Sequence, residues 1–200
     1  MTAAANGRLP RPADIDALRA AAYVGRMALL PIITAPDPRL KLKAKPVAKV
    51  DASVRRLMDD MLETMYGAIG IGLAAPQVGA AQRVIVLDVA REGEKPAPLR
   101  LANPEIVWRS ETETVANEGC LSLPEHYADV TRAAEIRLRY LDHENEIREI
   151  EAAGLLATCL QHEIDHLDGV LFVDHISSLK RGMILRKLAK TKRSRVLTPA

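Results

Sequence analysis

The chain has 200 residues, 48% of them apolar and 27% charged, with a formal net charge of +2, which describes one ordinary globular domain with a real core. It has no run of about 18 apolar residues, which argues against a membrane span. Its two cysteines are too few for a disulfide framework and imply a reducing, cytoplasmic setting. One Trp and one Phe cannot build a base-stacking platform, which argues against a reader of nucleic-acid sequence.

Residues 1–26 lack the continuous apolar core of a secretory signal. They read as an N-terminal extension or a mis-set start, with one short helix over Asp14 to Val24 and Met27 as an alternative initiator. Residues 27–200 then form the domain. Ile32-Ile33 leads into Ala35-Pro36-Asp37-Pro38, which cannot be regular helix. Asp51-Ala52-Ser53 caps the next segment, where Val54, Leu57, Met58, Met61, Leu62 and Met65 repeat at helical spacing to about Tyr66. The methionine stripe is core packing. After Gly67, Gly70-Ile71-Gly72-Leu73-Ala74-Ala75 imitates a dinucleotide fingerprint, with Asp88 beyond it. The context is wrong, because the motif follows a helix and precedes Pro76 and a strand. The glycines instead let another backbone approach, which suits an extended peptide lying beside Gly70, Ile71 and Gly72 as an added strand. On the residues alone, Gln77 reads as a surface loop glutamine.

Arg83 to Val89 is a strand, Leu99 to Leu101 a short one running into Asn103-Pro104, and Glu105 to Arg109 and Glu111 to Val115 flank Ser110. Asn117 to Ser122 is a polar, glycine-containing loop. Ala128 to Thr131 and Glu135 to Leu141 are strands, the second alternating apolar and charged. Asp142 to Asn145 is a hairpin turn, with His143 solvated, and Glu146 to Ile150 returns. Ile176 to Thr191 is a final helix capped by Ser177 or Ser178. Its end, from about 177 to 200, is strongly basic: a solvated face, or a weak electrostatic dock for RNA such as the ribosomal surface.

Between these lies the stretch that carries chemistry. Ala152 to Leu167 is free of proline, has a broad apolar face from Leu155, Leu156, Cys159, Leu160, Ile164 and Leu167, and is followed by Gly169 as a C-cap. Within it, His162-Glu163-Ile164-Asp165-His166 is H-E-x-x-H, which puts two imidazoles on one helix face. Glu163 sits beside the first of them. A third ligand is not downstream: position 172 is Phe, no glutamate follows Glu163, and Asp174 and His175 follow an apolar run, Val170 to Val173, that reads as buried strand or helix extension. Cys159 lies on the order of 7 Å along the helix axis from the midpoint of the two histidines, too far to share their ion. Cys120, on its loop, is the better ligand. One thiolate and two imidazoles leave a fourth position for water, the mark of a catalytic site.

The ordered set Gly70 to Gln77, Glu118-Gly119-Cys120-Leu121-Ser122 and Gln161 to His166 resembles the motifs of bacterial peptide deformylases, over about Met27 to Leu188. The resemblance implies an α+β fold, with antiparallel or mixed β-sheets around a central metal-binding helix, a helix in the N-terminal half and another at the C-terminus. It implies hydrolysis of the formyl group from N-formylmethionyl nascent peptides. Cys120, His162 and His166 hold the ion, Glu163 moves the proton, and the Gln77 amide and Leu121 N–H stabilise the oxyanion. It further implies a methionine pocket walled by Leu155, Thr158 and Cys159, and a Cys120 loop held by Glu118 and Ser122 beside the substrate. Fe²⁺ is the expected ion in the cell, with Zn²⁺, Ni²⁺ or Co²⁺ able to replace it in purified protein. Tyr127 stands where an arginine often contacts the peptide. Two alternatives stay open: a zincin-like metallopeptidase with the same helix and base, and a structural zinc module, which needs a fourth protein ligand.

Overall fold

A computed structural model describes residues 28–91 and 93–197, with the backbone alone for 192–197. The expected N-terminal extension and its helix over Asp14 to Val24 lie outside the described residues. Helix α1 (Ala52–Gly67) starts where expected, because the Asp51 carboxylate accepts from the backbone N–H of Ser53 (2.9 Å) and Val54 (3.1 Å). Its buried stripe is Val54, Met58, Met61, Leu62 and Met65, as the spacing required.

Among the described residues seven strands follow: β1 (Gly72–Ala74), β2 (Val84–Leu87), β3 (Leu99–Arg109), β4 (Glu113–Gly119), β5 (Tyr127–Ala133), β6 (Glu135–Leu141) and β7 (Ile147–Ala153). The first sheet has the order β1-β2-β3-β6-β7 and is antiparallel throughout; β4 and β5 form a separate two-stranded ribbon. Helix α2 (Gly154–Leu167) lies against the larger sheet, and α3 (Ser178–Leu197) closes the described chain. Alternation explains β2. Val84 and Val86 pack with the methionines of α1, while Ile85 and Leu87 pack with Leu160 and Ile164 of α2, so all four are buried. The ribbon docks through Val130 and Leu123 onto Phe172, Val173 and Leu188. This is the expected α+β fold. No helix among the described residues is long and apolar enough to cross a membrane.

Several boundaries differ from the sequence expectation. Leu99 to Leu101 and Glu105 to Arg109 are one strand, because Pro104 falls at a register shift where no ladder N–H is needed. Asn103, in the left-handed region (φ 49°), turns its amide onto Val47, accepting from its N–H (2.9 Å) and donating to its carbonyl (2.8 Å). Strand β4 begins later than expected and runs on through Glu118 and Gly119, which pair with Ala128 and Tyr127; only then does the turn carrying Cys120 begin. Helix α2 starts at Gly154, not Ala152. Ala152 is held in the sheet opposite Ile136, and Gly154 supplies the left-handed step (φ 57°) that turns the strand into the helix. Val170 to Val173 is neither strand nor helix extension, and a 3-10 turn forms over Phe172–Asp174.

Candidate metal centre and cleft

Helix α2 brings His162 and His166 together one turn apart, their ring centroids separated by 5.0 Å. The turn after β4 delivers Cys120, whose Sγ lies 3.2 Å from His166 Nε2. One donor atom from each of the three falls within 4.8 Å of the others, and among the described residues no other group of His, Cys, Asp or Glu does this in threes. Tetrahedral zinc-like bonds of about 2.0–2.3 Å require donor separations of roughly 3.5 Å, so this set fits one small divalent ion. The ring nitrogens are prepared for it. His162 Nδ1 lies 2.8 Å from Glu118 Oε2, an acceptor, so Nδ1 carries a proton and Nε2 is the nitrogen left for the donor set. Burial, with His162 alongside, pushes the His166 pKa well below its ordinary value and keeps that ring neutral.

Glu118 is itself held. Arg132 Nε and Nη2 donate to its two oxygens at 2.7 and 2.9 Å. Burial alone would raise the Glu118 pKa, but the hydrogen bonds from Arg132 and His162 outweigh it and bring it to about 2. Arg132 Nη1 reaches on to Asp165 Oδ2 (2.7 Å), which His175 Nε2 also meets at 2.7 Å. Glu118 lines the cleft, and both its carboxylate oxygens are occupied by this network.

Glu163 is 4% exposed, and one of its carboxylate oxygens is buried without a hydrogen-bond partner. Burial raises its pKa to about 7. The space beside it exists because residue 72 is glycine: a Cβ there would lie 2.3 Å from Glu163 Oε1 and 2.8 Å from Cys159 Sγ. At Gly70 a Cβ would meet the Leu121 side chain at 2.7 Å. Side chains of α2 and of the Cys120 turn thus occupy the room that a Cβ would need at these two glycines, while β1 is an edge strand, paired only with β2.

Gln77 is not a surface loop glutamine but is 1% exposed. Its Oε1 accepts from Ala74 N–H (2.8 Å), and its Nε2 donates to Ser122 Oγ (3.1 Å) and points at Cys120 Sγ (3.6 Å). Cys159 donates to the Ile71 carbonyl (3.7 Å) and takes no part in the donor set; burial raises its pKa, keeping a neutral thiol. A cleft of about 570 Å³ opens onto these groups. Gly70, Ile71, Gly72, Gln77, Leu121, Leu155, Thr158 and Cys159 line it together with Cys120, His162 and Glu163, while His166 sits behind. Sequence reasoning missed Arg132 and also Gln161, whose amide ties α2 to the Ala133 backbone of β5 (3.2 and 3.0 Å). A signal was present: alternation along β5 puts Arg132 on the same inward face as Val130.

Comparison with known proteins agrees with this geometry. The polypeptide deformylase family profile matches residues 29–182. A peptide deformylase of Methylocella silvestris is 61% identical over 167 residues, covering 82% of this chain and 85% of that protein. The crystal structure of peptide deformylase from Ehrlichia chaffeensis superposes with a TM-score of 0.80 at 41% identity, covering 84% of this chain and 99% of that one. A Met-Ala-Ser-bound deformylase from Acinetobacter baumannii gives 0.71 at 34% identity, covering 76% and 100%. With its three motifs folded around one cleft, the chain belongs to the polypeptide deformylase family.

Proposed function

We propose that the cleft binds an N-formylmethionyl peptide and hydrolyses its formamide, releasing formate and a free amino-terminal methionine. The observation that carries this is the Cys120, His162 and His166 donor set opening on a cleft beside a buried, half-unpartnered Glu163 carboxylate. A divalent ion held by those three residues would supply Lewis-acid polarisation and lower the pKa of water at the site. Glu163 accepts the proton of the attacking water and returns it to the leaving amine nitrogen. The Gln77 amide and the Leu121 N–H donate to the oxygen that becomes negative. Leu155, Thr158 and Cys159 wall the methionine side chain, and the peptide runs along Gly70, Ile71 and Gly72. Fe²⁺ is the ion we assign in the cell; the donor types also suit Zn²⁺, Ni²⁺ or Co²⁺. The exposed Lys180, Arg186 and Lys187 of α3 suit a salt-dependent contact with ribosomal RNA, in keeping with a cytoplasmic enzyme that meets nascent chains.

The test is formate release from formyl-Met-Ala-Ser by anaerobically purified protein, beside a casein digest. Internal cleavage without formate would favour the metallopeptidase reading. Cys120→Ala is expected to lose ion and turnover together, as metal analysis and the same assay will report; stoichiometric ion with normal turnover defeats the ligand assignment. Gly72→Ala keeps the donor set but drives a methyl into the Glu163 carboxylate. It is expected to retain the ion and lose about 100-fold in kcat, the scale of an ångström's misplacement.

A further inference from the structure

Ile69 lines one wall of the cleft, is 95% exposed, and lies in the left-handed region at φ 56°. A β-branched residue is rarely found there, and just past the end of α1 a glycine or asparagine would be at ease. Neither burial nor backbone therefore asks for isoleucine at this point. On the facing wall, Tyr127 opens β5 and is 68% exposed. Its ring lies over Gly119, where a Cβ would come within 2.4 Å of a ring carbon, so the ring is seated at the rim beside the Cys120 turn. Ile71, 43% exposed, continues the first wall. The charges point the same way. Among the described residues no Lys or Arg lines the cleft, while Glu125 stands exposed at its rim.

We propose that Ile69 and Tyr127 determine specificity for the residues just after the formyl-methionine, favouring apolar side chains and disfavouring acidic ones. Apolar side chains there cover exposed apolar surface. An acidic side chain there meets the Glu125 carboxylate with no lysine or arginine of the lining to offset it. The inference rests on the reading of the cleft as a formyl-peptide site and goes beyond it to the class of nascent chain preferred.

The experiment measures kcat/KM for formyl-Met-Leu-Phe, formyl-Met-Ala-Ser and formyl-Met-Asp-Glu by formate release from the ion-loaded enzyme. The expected order is as written, with at least about tenfold between first and last. Ile69→Asn, whose residue tolerates the left-handed region, and Tyr127→Ser should each narrow that ratio about threefold or more, through KM for the apolar peptide, with kcat little moved. Equal kcat/KM for the apolar and acidic peptides in the unaltered enzyme overturns the proposal, as does an unchanged ratio in both variants. Formate from none of the three removes the reading of the cleft itself, and the specificity with it.

Discussion

Glu163→Gln is expected to lower kcat by about 10²–10⁴-fold while the protein keeps its full complement of ion. The substitution is nearly isosteric, so the packing against Gly72 and Cys159 survives. What disappears is the capacity to take a proton. The native carboxylate is suited to proton transfer, because it is 4% exposed, one oxygen has no partner, and burial places its pKa at about 7. A group titrating near the working pH can both accept and return a proton. Formate release and metal analysis on the same preparation decide the matter. A Glu163→Gln enzyme within tenfold of the parent, ion in place, shows that the proton travels elsewhere.

The second large effect is on stability. Arg132→Ala removes the cation shared by Glu118 and Asp165, and the Arg132 and Glu118 side chains are each only 5% exposed. A buried carboxylate left without its partner costs about 3–5 kcal/mol, to be read from denaturant unfolding of the ion-loaded protein. The acid limb carries a second signature. The Glu118 pKa is depressed from 4.5 to about 2, so the stability it contributes is fully present above pH 4.5 and drains away as the pH falls towards 2. Without Arg132 that depression shrinks, and the variant loses less on acidification than the parent does. An unfolding free energy within about 1 kcal/mol of the parent would mean the network is idle.

What could be read from the chain followed from how local each signal was. The α1 stripe and the H-E-x-x-H helix announce themselves within a few turns, because 3.6-residue periodicity is a property of neighbours. Cys120 was reachable by elimination, with so few candidate ligands in the chain. The role of Gly72 was not, since its reason is a carboxylate 91 positions away in the sequence, resting where a methyl would be. Arg132 was lost because the predicted strand stopped at Thr131, one residue short of it. Ala152 and Ala153 look helical in isolation but were claimed by β6, a tertiary pairing overriding propensity. Asp88, which imitated a ribose-binding acid, instead accepts from Tyr66 (2.6 Å), Ala90 (3.0 Å) and Ala97 (3.2 Å), stitching its loop shut.

The ribbon that bears the sulfur and the helix that bears the imidazoles are separate pieces, Cys120 and His166 standing 46 positions apart in sequence. Each can complete its own backbone hydrogen bonds without the other. Sulfur and imidazoles therefore meet only where distant segments of the chain come to rest together. Conversely, a molecule stripped of its ion gives up a clasp between two finished parts rather than the inner order of either.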